Sequence, residues 1–132
     1  MQKCLGVDVG QERVGVSVSD DGGTVAFPLA VLQRRECVAQ LLTLIAERDI
    51  AVVVFGESLD LDGEENPIMT EVRDIADAVR EQVAVVFESE QFSTQAASRL
   101  GKGSDAEAAA IILQSYLDRQ NRGKKEDIIN FD

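Results

Sequence analysis

The 132-residue sequence predicts an α/β domain, a mixed β-sheet with helices packed on both faces. Three observations predict it. Residues 2–9, 12–19 and 24–32 read as three strands joined by the short turns Gly10-Gln11 and Asp20-Asp21-Gly22-Gly23. Residues 50–55 and 83–87 are continuous, largely β-branched apolar runs, the mark of strands covered on both sides. Between and after those runs, apolar residues recur at helical spacing.

Taken in order, the first strand carries one acid, Asp8, in an apolar setting. Alternation puts Cys4, Gly6 and Asp8 on one side and Leu5, Val7 and Val9 on the other. The second strand alternates Val14, Val16 and Val18 against Arg13, Gly15, Ser17 and Ser19, so its faces are unequal. Pro28 marks the third as an edge strand or as the point where that strand ends, because proline cannot donate to a second neighbour. Val38, Leu41, Leu42 and Ile45 define an amphipathic helix over residues 36–48. Residues 56–66 form a polar, acid-rich loop, after which Asn66 caps a helix and Pro67 takes its first position; the helix runs to about Gln82. Ser93 or Thr94 opens a short helix ending near Leu100, and Gly101-Lys102-Gly103 breaks it. Ser104-Asp105-Ala106-Glu107 matches a capping box at the head of a last helix, 105–119. One domain, 1–119, is expected, with 120–132 a polar, flexible tail in which Ile128, Ile129 and Phe131 could dock.

Composition narrows the chemistry. There is no histidine, which removes the commonest general base and argues against zinc. The two cysteines, Cys4 and Cys37, have no metal or redox spacing and read as reduced core thiols. Any metal would be held by oxygen ligands, which favours Mg²⁺ or Mn²⁺. A net charge of −11 argues against broad phosphate neutralisation but leaves room for an acidic, metal-filled centre with a local basic rim. No run approaches a membrane span and no signal-peptide pattern appears, so a cytoplasmic address without membrane contact is expected.

With the first strand central and the two buried strands parallel to it through right-handed crossovers, ligands gather at the strands' carboxyl ends. Acids stand at all three ends: Asp8, Glu57, and Glu88 or Glu90. Asp105 continues the helical stripe Ala108, Ala109, Ile112 and Tyr116, which aims it at the sheet. Each acid has a plainer reading as well: Asp8 as a strand-end residue satisfied by turn amides, Asp105 as a first-turn acid favoured by the helix dipole. Converging carboxylates repel one another unless a divalent ion neutralises them, and two such ions can drive phosphodiester hydrolysis without histidine.

These motifs resemble the YqgF/RuvX family, candidate Holliday-junction resolvases with a ribonuclease-H-like fold. Gly6, Asp8, Gly10, Arg13, Gly15, Val16, Ser19 and Asp20 match the family's opening strand signature. Val54 to Gly63 follows its second signature, Ser89 to Thr94 its third, and Asp105, Ala108, Ala109, Ile112, Leu113, Tyr116 and Leu117 its last. The resemblance covers residues 3 to 119 and implies a five-stranded mixed sheet of order 3-2-1-4-5. It also implies catalytic and metal-binding roles for Asp8, Glu90 and Asp105; Glu57 or Glu88, read from the strand ends, would join them as a further metal ligand. The implied reaction is Mg²⁺- or Mn²⁺-dependent hydrolysis of phosphodiesters in branched DNA or the precursor of 16S rRNA. A resolvase acting on symmetric junctions implies a homodimer. Arg13, Thr94, Arg99 and Lys102, with Lys124 and Lys125, are the candidates for substrate phosphate.

The chain departs from the pattern at Glu12, Glu57-Ser58, Ser89 and Gln91, and each basic loss weakens phosphate binding. Two other readings therefore stand beside the nuclease: a non-catalytic nucleic-acid-binding or regulatory member of the fold, and a nucleotide-binding domain of actin-like type. Asp8-Val9-Gly10 followed by Gly15 also resembles the phosphate loop of the latter group, which uses two such domains.

Overall fold

The computed structural model describes residues 3–57, 67–89 and 105–130, with side chains of the last helix described as far as Arg122. Its elements are β1 (Cys4–Val9), β2 (Arg13–Ser19), β3 (Ala26–Gln33), a 3₁₀ turn at Arg34–Glu36, α1 (Cys37–Glu47), β4 (Val52–Glu57), α2 (Met69–Arg80), β5 (Ala84–Ser89) and α3 (Asp105–Asn130). They build a five-stranded sheet of order β3-β2-β1-β4-β5. β1 to β3 form the antiparallel meander, while β4 pairs parallel with both β1 and β5. The first strand is central, as its apolar character on both faces requires.

The alternation of β1 divides the core in two. Leu5, Val7 and Val9 join Val14, Val16, Val53 and Phe55 beneath α1 and α2. Cys4 joins Val52, Val54, Ile112, Leu113 and Leu117 beneath α3. Helices thus cover both faces, as expected for an α/β domain. Both cysteines are reduced and buried, and desolvation pushes each thiol above its ordinary range.

Local chemistry explains the turns. The Gly10 amide donates to the Arg13 carbonyl at 2.8 Å, closing the β1–β2 connection. In the β2–β3 hairpin, Asp20 Oδ1 accepts from the amides of Thr24 (2.7 Å) and Val25 (3.1 Å), and these bonds hold its carboxyl below the usual range. β3 is the sheet edge, and the register slips there: Val16 opposes Ala30 while Ser17 opposes Pro28, leaving Leu29 as the extra residue. The proline therefore sits on an edge strand beside a bulge, where a missing donor is tolerated.

Two helix boundaries differ from expectation. Pro67 lies in a turn ahead of α2 and not at its first position; Thr70 N–H reaches the Pro67 carbonyl at 3.4 Å, and the first α-type bond runs from Val72 to Ile68 at 3.0 Å. Asn66 lies outside the described residues. α3 does not stop at 119 but continues to Asn130. Its polar second half reads as a tail from composition, yet it is rich in residues that lose little entropy in a helix. Asn121 Nδ2 also donates to the Gly23 carbonyl at 3.2 Å, tying that half to the hairpin. The short helix expected after Ser93 or Thr94 lies outside the described residues, as does Ser104 of the capping box.

Candidate active site at the carboxyl end of β1

The site begins with two glycines on the α3 face of the sheet. A Cβ at Gly6 would lie 2.7 Å from Leu113 Cβ and 2.8 Å from the Ala109 carbonyl oxygen. A Cβ at Gly15 would lie 2.9 Å from the Ala106 nitrogen and closer still to the Asp105 carbonyl. Real side chains do not tolerate such separations, so the two glycines let α3 lie directly on β1 and β2. Ser17 fastens the seat, its Oγ donating to the Ala109 carbonyl at 2.8 Å.

That seating sets the first and last predicted acids on the same face of the sheet. Asp8 is the cross-strand partner of Gly15, and Gly15 touches the backbone of Asp105. Asp8 and Asp105 therefore flank Gly15 on one face, at the carboxyl end of β1 and the N-terminus of α3. Arg13, on the same face of β2, completes the corner: its Nε donates to Asp105 Oδ2 at 2.9 Å. Both side chains are partly exposed, Arg13 at 63% and Asp105 at 38%, so the pair stands at the mouth of the site.

The other expected acids are arranged differently. Glu57 ends β4 one residue beyond Gly56 and shares the parity of Val53 and Phe55, which face α1 and α2. Alternation turns it away from the Asp8 face. Glu88 is on the α3 face but is 5% exposed and already engaged. Ser115 Oγ donates to its Oε2 at 3.0 Å, and the Arg119 guanidinium pairs with its Oε1. This clamp ties the end of β5 to the middle of α3. Glu90, Thr94, Arg99 and Lys102 lie outside the described residues. Among the described residues, no group of three acids or thiols is close enough to hold a metal ion.

The sequence singles out Asp8, Arg13, Gly15 and Asp105 but not Ser115 or Arg119 as builders of this face. A glycine inside an alternating strand is the available signal for Gly15, since it marks a close backbone approach. Nothing in the spacing announces the Glu88–Arg119 pair. No helix among the described residues is long and apolar enough to cross a membrane.

Comparison with known proteins bears on the family and the fold. The family model described as RuvX, Holliday junction resolvase, matches residues 2–119. A candidate pre-16S rRNA nuclease of Frankia casuarinae is 35% identical over 95% of this chain and 71% of its own length. One from Chloroflexus aggregans is 32% identical over 89% of this chain and 94% of its own. Among solved structures, Thermus thermophilus RuvC in complex with a Holliday junction substrate superposes with a TM-score of 0.61. It shares 19% identity and covers 91% of this chain and 96% of its own. The fowlpox virus Holliday junction resolvase gives 0.53 at 14% identity, covering 90% of this chain and 99% of its own. At such identities the likeness is one of fold, and the fold is ribonuclease-H-like.

Proposed function

This chain belongs to the RuvX family of Holliday junction resolvases, and from that premise we propose that it is a divalent-metal-dependent endonuclease acting on structured nucleic acid. The observation that supports this reading is that Gly15, the cross-strand partner of Asp8, lies against the backbone of Asp105. Two carboxylates drawn together at the end of a central strand repel one another, and a hard divalent cation is the natural counter-charge. The donor set fits Mg²⁺ or Mn²⁺: it is all oxygen, in a chain without histidine. The glycine cradle fits as well, because it lets an acid-bearing backbone close on the strand.

Asp8, Glu90 and Asp105 are proposed as the residues that hold the metal. Glu57 is left out because its strand parity turns it to the opposite face, and Glu88 because its oxygens are taken by Ser115 and Arg119. When bound, the metal supplies charge neutralisation at the scissile phosphate and an activated water. The chain's own part is to fix the two acids on rigid elements, and to offer Arg13 as a cation at the rim for a phosphate. Thr94, Arg99 and Lys102 are proposed as further phosphate contacts.

Two substrates fit a phosphodiesterase of this kind. The relatives' names favour the 16S rRNA precursor, and the family description favours Holliday junctions in DNA. A junction offers two equivalent strands and would call for a homodimer, whereas trimming of an rRNA end would not. Purified protein incubated with each labelled substrate and Mn²⁺ is expected to cut at least one, and Asp8→Asn protein neither. Undiminished cleavage by Asp8→Asn would remove the assignment. Sedimentation with an uncleaved junction would separate dimer from monomer.

A further inference from the structure

We infer that Arg13 is a metal-displaced latch: it neutralises Asp105 when no metal is bound, and metal binding frees it to grip a substrate phosphate. The inference rests on the metal-site reading above and goes beyond it. Its basis is a conflict between two roles. Asp105 Oδ2 accepts a charge-assisted bond from Arg13 Nε at 2.9 Å, yet Asp105 is also the acid that α3 sets over Gly15, the cross-strand partner of Asp8. A guanidinium at hydrogen-bonding distance and a divalent cation compete for the same carboxylate, because each neutralises it and each repels the other. Arg13 also stands at the open end of the sheet, where a phosphate would approach the paired acids.

The pair is built to be exchangeable. Arg13 and Asp105 are 63% and 38% exposed, so neither is trapped, and contacts of this kind are weak. A single bond from Nε leaves the guanidinium's terminal nitrogens able to turn outward without any backbone movement. By contrast Glu88, the other acid paired to an arginine across this face, is 5% exposed and holds a second bond from Ser115. One pair is a fastening and the other a latch. In the metal-free site the latch lowers the repulsion between Asp8 and Asp105 and withholds a phosphate-binding charge. With the ion in place, that charge is delivered only when hydrolysis is possible.

Coupling of this sort is reciprocal, so it is read from both ends. Calorimetric Mn²⁺ titrations of the full chain, of Arg13→Gln and of Asp105→Asn, form the first arm. Removal of the competing cation is expected to tighten Mn²⁺ binding about two- to five-fold, the scale of an exposed ion pair. The second arm measures binding of an uncleaved branched oligonucleotide in Ca²⁺ and in EDTA. Arg13→Gln is expected to weaken binding several-fold in Ca²⁺ and to leave it nearly unchanged in EDTA. Arg13→Lys should restore most of the loss. If Arg13→Gln weakens Mn²⁺ binding instead, Arg13 merely positions Asp105 and the latch is refuted while the metal site stands. Equal loss in Ca²⁺ and EDTA refutes it too, by making Arg13 a constitutive contact. Mn²⁺ binding that survives unchanged in Asp105→Asn overturns the underlying metal-site assignment. Thermal melts of each variant exclude a folding defect at this exposed position.

Discussion

Gly15→Ala tests the contact on which the site depends. The added methyl would lie 2.9 Å from the Ala106 nitrogen and closer to the Asp105 carbonyl, and both are backbone atoms that cannot rotate aside. Relief requires the first turn of α3 to retreat by on the order of 1 Å, since close-packed interiors have no slack to absorb a methyl. Overpacking of this kind costs about 1–3 kcal/mol, against about 0.4–1 kcal/mol gained by stiffening the unfolded chain. The net is a destabilisation of roughly 1–2 kcal/mol, or about 4–8 °C in Tm for a domain of this size. The functional loss should be larger, because the displaced residue is Asp105 itself: about 10–100-fold in Mn²⁺ affinity and about 100-fold in cleavage rate. Gly6→Ala is the matched control, clashing with Leu113 and Ala109 further along the same helix. It should cost comparable stability with a smaller loss of metal affinity. Denaturation curves, Mn²⁺ calorimetry and cleavage of a labelled substrate are the three measurements. A folded Gly15→Ala protein with unchanged metal affinity and rate would refute the reasoning.

Two further outcomes are expected. Arg119→Ala strands a buried Glu88 carboxylate with Ser115 alone, and should cost about 1–3 kcal/mol in urea denaturation. The double variant Glu88→Leu with Arg119→Leu should recover much of that, because it leaves no unpaired charge. Cys4 and Cys37 should react with a thiol reagent only as the protein unfolds, since burial both shields the thiols and holds them protonated; fast labelling of the native protein would contradict the packing of β1 and α1.

Much of the fold is legible because β-branched runs and helical stripes are local signals. Of the stripe Ala108, Ala109, Ile112 and Tyr116 continuing Asp105, Ala109 and Ile112 are fully buried and Ala108 and Tyr116 half-buried, while Ala106, Leu113 and Leu117 complete the seated face of α3. Pro28 correctly announces an edge. What escapes reading depends on distance or on parity at element ends. Glu57 looks like a partner of Asp8 because both end strands, and only its parity with Val53 and Phe55 distinguishes its face. Glu88 looks available because its partners are 27 and 31 residues away on a helix whose polar positions carry no mark of pairing. The length of α3 is hidden because helix formers in a polar stretch read like a solvated tail until an anchor such as Asn121 is seen.

The Arg13–Asp105 pair joins positions separated by 92 residues, with β4, α2 and β5 between them. Synthesis at about 5–20 residues per second therefore delivers the cation roughly 5–20 s before its acid. During that interval the growing chain can form its meander and crossovers but holds no assembled acid pair. On the proposed metal-site reading, a nascent copy would be chemically mute beside the ribosome that makes it, and the competence to cut would arrive with the last helix.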